Sequence, residues 1–250
     1  MIGVLVAVSS SVTVLAGRDP RDFDAPAPGA WDWGFAIDIV PFMVEGLVVT
    51  IQATLLGITI ALVLGLVLAI LRRSPRRLIS WPVATFIEVI RSTPLLIQLF
   101  FLFFVLPDVT DGSIQFSPLT TGVIGLAIHY GTYTSESYRA GIENVATGQW
   151  EGATAINLST TQTWRHVVLP QAVPTVIPAL GNYVVAMFKD APLLTAITVG
   201  ELLAQAKALQ GVWFRGMEPF TVAGVLFLVV SIPAAIGVRH LETRYGYERE

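Results

Sequence analysis

Along most of the chain the apolar residues do not alternate with polar ones. They run together in five blocks, residues 44–71, 81–106, 119–138, 172–203 and 220–238, separated by short polar segments. A run of about 20 apolar residues is the length a helix needs to cross about 30 Å of hydrocarbon, and a helix apolar all round has no face for water. The pattern predicts an all-α polytopic membrane protein with five spanning helices. Two blocks carry interruptions. In the second, Thr93-Pro94 removes a backbone donor and frees carbonyls, which a membrane tolerates only where protein or a water-filled cavity covers them. In the fourth, Lys189-Asp190 with Pro192 just after predicts a broken helix, or a span followed by a re-entrant piece.

Between the third and fourth blocks lies a polar segment with its own punctuation. Thr147 is the expected N-cap of a helix whose first turn carries Glu151, a charge favoured near a helix N-terminus. Gly152-Ala153-Thr154-Ala155-Ile156 continues it, and Asn157, tolerant of the left-handed conformation, ends it. Ser159 and Gln162 have the spacing of a capping box for a second helix over 160–168, which Pro170 is expected to stop. Such a stiff helix pair outside the membrane either joins two spans or serves as a docking element, and the dense capping favours docking.

Composition narrows the class. Of 250 residues, 54% are hydrophobic and 13% charged, about half the charged share of an ordinary soluble domain, which excludes a soluble globular protein. A net charge of −3 offers no bulk attraction to nucleic acid. The absence of Cys excludes disulfides, thiolate metal sites and cysteine nucleophiles, and His129, His166 and His240 lack ligand spacing, so no metal is expected. Charge placement then sets orientation. Arg72-Arg73-Ser74-Pro75-Arg76-Arg77 puts four Arg into six residues, and short basic loops stay in the cytoplasm. That places residues 72–80, 139–171 and the C-terminal tail inside, and residues 107–118 and 205–218 outside, with Lys207 and Arg215 as exceptions. The chain divides into an N-terminal extension (1–36), a membrane domain (44–242) and a cytoplasmic tail (243–250). Residues 1–17, apolar and uncharged, fit a sixth span, a signal peptide without a basic start, or a start codon placed too early. Gly65, Gly122, Gly125 and Gly181 read as close-packing positions.

Charges inside the blocks need partners. Glu88 and Arg91, three apart on one helical face, either pair with each other to fix helix packing or line a translocation path. Asn182, Lys189, Asp190 and Glu201 either face a zwitterionic solute or make interhelical and dimer contacts; His129 and Tyr130 read as polar core.

The residues now carry a resemblance. Glu151-Gly152-Ala153, then Asn157, then Val167-Val168-Leu169-Pro170 resemble the EAA loop of ABC-importer permeases, with Gly152 where the family usually has Ala and Asn157 where it usually has Gly. Glu88 to Leu99 resembles the E-x-x-R-G-T-P-L-L-x-Q-L signature of the polar amino-acid uptake branch, with Ser92 replacing its Gly; Gln98 in it joins Glu88 and Arg91 as a path candidate. Tyr138-Arg139-Ala140-Gly141-Ile142, Leu169-Pro170-Gln171-Ala172, Asn182, Lys189-Asp190 and Glu201-Leu202 are similar to further landmarks of that branch. Within it, residues 132–136, 187–194 and 231–235 look most like permease subunits of ectoine and hydroxyectoine importers.

The resemblance spans residues 31–247 and implies a five-helix type I ABC importer transmembrane domain. It implies an ATPase-coupling loop carrying Glu151, Gly152, Ala153, Asn157, Leu169 and Pro170, and a possible path including Asn182, Lys189, Asp190, Glu201, Glu88, Arg91 and Gln98. The implied partners are a dimer of separate ABC ATPase subunits, a second permease (paralogue or second copy), an extracytoplasmic solute-binding protein and the lipid bilayer, with no nucleic acid. The implied location is the bacterial inner membrane, multi-pass, with a cytoplasmic C-terminus. No catalytic residue and no cofactor are expected, since the chain has no G-x-x-x-x-G-K-S/T loop and ATP hydrolysis falls to a partner. An ion-coupled carrier or channel would use Glu88, Lys189, Asp190 and Glu201 as ion sites and need no docking helix. An intramembrane enzyme would need a convergent nucleophile and base, which the sequence does not offer.

Overall fold

The computed structural model describes residues 19–24 and 31–245, and among them there are helices and no strands. The expectations for residues 1–18, 25–30 and 246–250 fall outside the described residues. In chain order the helices are α1 (Trp33–Asp38), α2 (Val40–Arg72), α3 (Arg77–Arg91), α4 (Leu95–Phe100) and α5 (Leu106–Val109). They continue with α6 (Pro118–Glu143), α7 (Thr147–Ala155), α8 (Thr160–Thr163), α9 (Leu169–Asp190), α10 (Leu202–Trp213) and α11 (Met217–Tyr245).

Three continuous stretches are long and apolar enough to span: Trp33–Arg72, Thr160–Ile197 and Met217–Arg244. The second block is a bent pair, Arg77–Arg91 and Leu95–Val109, turned by 107°. The single span expected over 81–106 is therefore broken, and Pro94 is the cause. It has no N–H to continue α3 and instead opens α4 at φ −62°, ψ 138°. The carbonyls it strands are not left open: the Thr93 hydroxyl donates to Val89 O at 3.0 Å and Ile90 O at 3.2 Å. The third block forms the more polar α6.

Two π-helical turns, Phe101–Val105 and Trp164–Val168, use one device. Each precedes a Leu-Pro pair, and the leucine N–H reaches five residues back: Leu106 to Phe101 O, Leu169 to Trp164 O. The widened turn shifts the bonding register just ahead of a residue that cannot donate. For this reason Pro170 does not stop the helix begun at Thr160, which runs on to Asp190. The expected break in the fourth block is present. After Asp190 the chain tightens into a 3-10 segment, Ala191–Ile197, and leaves through Thr198 at φ 63°.

The chain forms two compact units. The first comprises the described residues up to Gly57, with Pro94–Leu126 and Met187–Ile232. Its core packs Phe35, Phe42, Met43 and Leu47 against Phe188, Leu202 and Leu209. Gly46 lets α2 approach α10: a Cβ there would stand 2.6 Å from Gln205 Cγ and 2.9 Å from Leu202 Cα. Beside that crossing Glu201, fully buried, caps α10. It accepts from Leu203 N–H at 3.0 Å and Ala204 N–H at 2.8 Å, and from the Thr195 and Thr50 hydroxyls. Glu218, equally buried, holds Arg215 and accepts from Asp32 N–H at 3.0 Å. Gly122 meets Leu194 and Gly125 meets Leu99.

The second unit comprises Ile58–Thr93, Ala127–Ala186 and the described residues from Pro233 on. Here α2 and α6 touch backbone to backbone, Gly65 lying against Gly131 and Thr134, and the Thr134 hydroxyl donates to Ala61 O at 3.0 Å. Gly181 meets Val238 where α9 passes α11. All four glycines read as close-packing positions sit at such contacts.

Glu201→Ala strips acceptors from two backbone N–H groups and two hydroxyls in an apolar setting. The expected cost is about 2–3 kcal/mol, read as a lower melting temperature of the purified protein in detergent, with Glu201→Gln intermediate. Identical melting of all three proteins would show that the cap is energetically idle.

Candidate functional site

Two constellations stand out, both in the second unit. The first is the hairpin of α7 and α8. Helix α7 starts at Thr147 behind Ala146, which makes no side-chain cap bond, so Thr147 is the first helical residue and not the cap, and Glu151 lies in the second turn. The start is one residue earlier than a threonine cap requires, because the extended Ala146 (ψ 138°) already turns the chain into the helix. The other end is as expected. Asn157 takes φ 56°, with Leu158 N–H on Ala153 O and Asn157 N–H on Thr154 O, each at 3.0 Å, which together close the last turn. The capping box is present: Gln162 N–H donates to Ser159 Oγ at 3.3 Å, and Ser159 N–H to Gln162 Oε1 at 2.9 Å.

The hairpin is anchored on one side only. Trp150 and Trp164 meet edge to face at 5.6 Å over Val145, Val168 and Ala172, and Arg73 at the end of α2 lies over the Trp164 ring at 5.9 Å. Ala153 is buried beneath the helix, while Glu151, Gly152 and Ala155 are exposed. Ile156 is 71% exposed. It is a β-branched apolar side chain left uncovered where α7 ends. Leu169 and Pro170 lie exposed on the far side of the π-turn.

The second constellation is centred on Glu136 of α6. Arg72 of α2 donates to its Oε1 at 2.7 Å, Arg139 to its Oε2 at 2.6 Å, and Arg91 of α3 stands 4.0 Å away. Arg139 also pairs with Glu143 at 2.6 Å. Three guanidiniums thus share two carboxylates, leaving one positive charge in surplus. Arg91, the most exposed and least tightly paired of the three, lies over the Tyr133 ring at 5.2 Å. Tyr133 belongs to an aromatic patch with His129, Tyr130 and Tyr183, and the Tyr183 hydroxyl bonds Ser137 at 3.2 Å. A guanidinium beside aromatic faces can hold both ends of a zwitterion: carboxylate on the cation, ammonium on the rings.

The seven path candidates are divided between the two units. In the second unit Glu88 is exposed and is not paired with Arg91, which turns to Glu136; Asn182 donates to Glu242 at 3.1 Å, joining α9 to α11. In the first unit Lys189 is exposed, Asp190 and Gln98 are half-buried, and Glu201 is consumed by its cap. Sequence reasoning missed Glu136 and its aromatic neighbours. The signal was available in the spacing of Glu136, Arg139 and Glu143 on one helical face at the end of an apolar block.

Comparison with known proteins gives a consistent result. Residues 39–247 match the family described as binding-protein-dependent transport system inner membrane component. The chain is 45% identical over 214 residues to a probable amino-acid ABC transporter permease protein, y4tG, of Sinorhizobium fredii, covering 84% of this chain and 91% of that one. It is 31% identical to the glutamine transport system permease protein GlnP of Escherichia coli K12, covering 86% and 97% of the two chains. Among solved structures, a chain of an amino acid ABC transporter crystallised with histidines superposes with a TM-score of 0.81 at 31% identity, covering 86% of this chain and 100% of that one.

Two substitutions test the site. A Cβ on Gly152 meets nothing within 4 Å, so Gly152→Ala is expected to stabilise α7 by about 0.5–1 kcal/mol and to be accepted, as a small rise or no change in melting temperature; a fall would mean the position is already covered. Glu136→Gln leaves three arginines without their common carboxylate, and allowing for solvent screening a loss of about 2 kcal/mol is expected. Unchanged melting of that variant would remove Glu136 from the architecture.

Proposed function

The chain belongs to the family of binding-protein-dependent transport system inner membrane components, and we propose that it is the permease subunit of an importer for polar amino acids or a related zwitterionic compatible solute. Its fold is the all-α, five-helix transmembrane domain of type I ABC importers, a multi-pass inner-membrane subunit. Subunits of this kind are not enzymes; ATP hydrolysis lies in a separate subunit. The observation that carries the coupling reading is the exposed, doubly capped hairpin of α7 and α8, bearing Glu151, Gly152, Ala153, Asn157, Leu169 and Pro170 in the spacing of a coupling loop.

In this reading a dimer of ATPase subunits closes on ATP and grips the exposed side of α7 at Glu151, Gly152 and Ile156. The displacement does not dissipate within the loop, because α7 is locked to α8 through Trp150 and Trp164, and Trp164 leads without interruption into α9. Arg73 ties the same indole to the end of α2, and Glu136 ties Arg72 of α2 and Arg91 of α3 to α6. A push on one short helix is thereby shared among four long ones, which is what rocking the bundle between inward-facing and outward-facing states requires. One such bundle makes half a pathway, so a second permease, paralogue or identical copy, completes it, and an extracytoplasmic binding protein delivers the solute. The basic corner at Arg72 to Arg77 supports a cytoplasmic position for that corner, the hairpin and the C-terminus.

The surplus charge at Arg91, with Tyr133 beneath it, supports a zwitterionic solute with a carboxylate. Among the seven path candidates Arg91 is the one whose surroundings suit a ligand best; Glu88, Asn182, Lys189 and Asp190 remain assigned to the path by their polarity inside apolar blocks, Gln98 by resemblance, and Glu201 acts through its cap. The stretches 132–136, 187–194 and 231–235 support ectoine or hydroxyectoine as the cargo, while the names of the relatives support amino acids.

The test is uptake of labelled ectoine, glutamine and arginine in cells lacking the gene, then regaining it as wild type or as Ile156→Asp. Wild type is expected to restore uptake of one of the three. Ile156→Asp is expected to insert normally and to restore less than a tenth of that uptake, because a buried carboxylate in the ATPase groove goes unpaired. Full uptake by Ile156→Asp would remove the hairpin from the mechanism and favour an ion-coupled carrier, and recovery of glutamine or arginine alone would discard ectoine.

A further inference from the structure

The four arginines at the corner between α2 and α3 are not equally employed. Arg72 is held by Glu136 at 2.7 Å and Arg73 lies over Trp164, whereas Arg76 and Arg77 are exposed and form no ion pair among the described residues. Beside them the corner opens a cleft of about 750 Å³ lined by Arg72, Arg77, Leu78, Ser80, Trp81 and Pro82. Its lining mixes two chemistries: the guanidinium-bearing Arg72 and Arg77, and the apolar Leu78 and Trp81, which are 92% and 72% exposed. These two begin an exposed apolar stripe that continues along α3 through Phe86 and Val89.

The corner also sits at a defined level. The apolar stretch of α2 ends at Arg72, which is where hydrocarbon gives way to headgroups, and Trp and Arg are the side chains suited to that boundary. A free anion would use the arginines and have no need of Leu78 and Trp81. A second copy of this chain would bring a second basic corner against the first. An amphiphile with a negative head satisfies both parts of that lining.

We propose that this corner seats an anionic phospholipid, its phosphate on Arg77 of the cleft lining, with the exposed Arg76 next to it in the chain, and its acyl chains along Leu78 and Trp81. Arg72 is held by Glu136 and Arg73 by Trp164, which leaves Arg76 and Arg77 to the lipid. The binding depends on the membrane fold and not on which solute is carried.

The experiment is electron paramagnetic resonance of the purified full chain in nanodiscs containing spin-labelled phosphatidylglycerol or spin-labelled phosphatidylcholine. Wild type is expected to immobilise phosphatidylglycerol in preference to phosphatidylcholine, and the double variant Arg76→Gln, Arg77→Gln to lose that preference by roughly fivefold per arginine. Trp81→Ala is expected to weaken retention of both lipids. A wild type without preference, or a double variant that melts normally yet keeps the preference, would overturn the proposal. So would displacement of the labelled lipid by excess inorganic phosphate, which would assign the arginines to a soluble anion. Photocrosslinking from position 78 into another protein subunit in place of lipid would overturn it equally.

Discussion

Hydrocarbon offers no hydrogen bonds, so wherever this chain departs from a regular helix it must satisfy its own backbone, and the architecture follows from how it does so. At the 107° bend before Pro94 the Thr93 hydroxyl takes up the stranded carbonyls of Val89 and Ile90. Ahead of Pro107 and Pro170 a π-turn shifts the register, so that a leucine N–H reaches five residues back. After the break at Asp190 the buried Glu201 carboxylate collects the first N–H groups of α10 and anchors them to Thr50 of α2. Each of these irregularities is closed by side-chain or backbone bonds within the chain.

The same economy shapes the hairpin of α7 and α8. Its turn is closed from both sides, by Asn157 and by the Ser159 and Gln162 capping box, with an indole pair at its base and a continuous helix leading away from it. Glu136 performs the corresponding task for the helix ends nearby, holding arginines from α2 and α3 against α6. With two oxygens for three guanidiniums it leaves Arg91 incompletely neutralised, and that residual charge lies over Tyr133. The structural network and the candidate solute contact are thus two consequences of one charge imbalance.

Much of this was legible in the sequence, and the reasons differ from element to element. The blocks were plain because hydropathy over about 20 residues is a cumulative signal. The capping box at Ser159 and Gln162 and the left-handed turn at Asn157 were readable because both depend on side chains two or three residues away. Pro170 misled because its usual effect on a helix was cancelled by a π-turn, which no residue at that position announces. The pairing of Glu88 with Arg91 was plausible from spacing and did not occur, since Arg91 found Glu136 on another helix. For Glu201 the sequence left a solute contact and an interhelical contact open, because burial of a carboxylate by its own helix terminus requires knowing where that helix begins.

The central claim is that the exposed side of α7 is where an ATPase subunit docks. The chain contains no Cys, and position 152 has open space, so a single cysteine there can carry a spin label without disturbing the fold. The label is expected to be mobile in the permease alone and strongly immobilised in the assembled importer. Equal mobility in both, in a complex that hydrolyses ATP, would contradict the account.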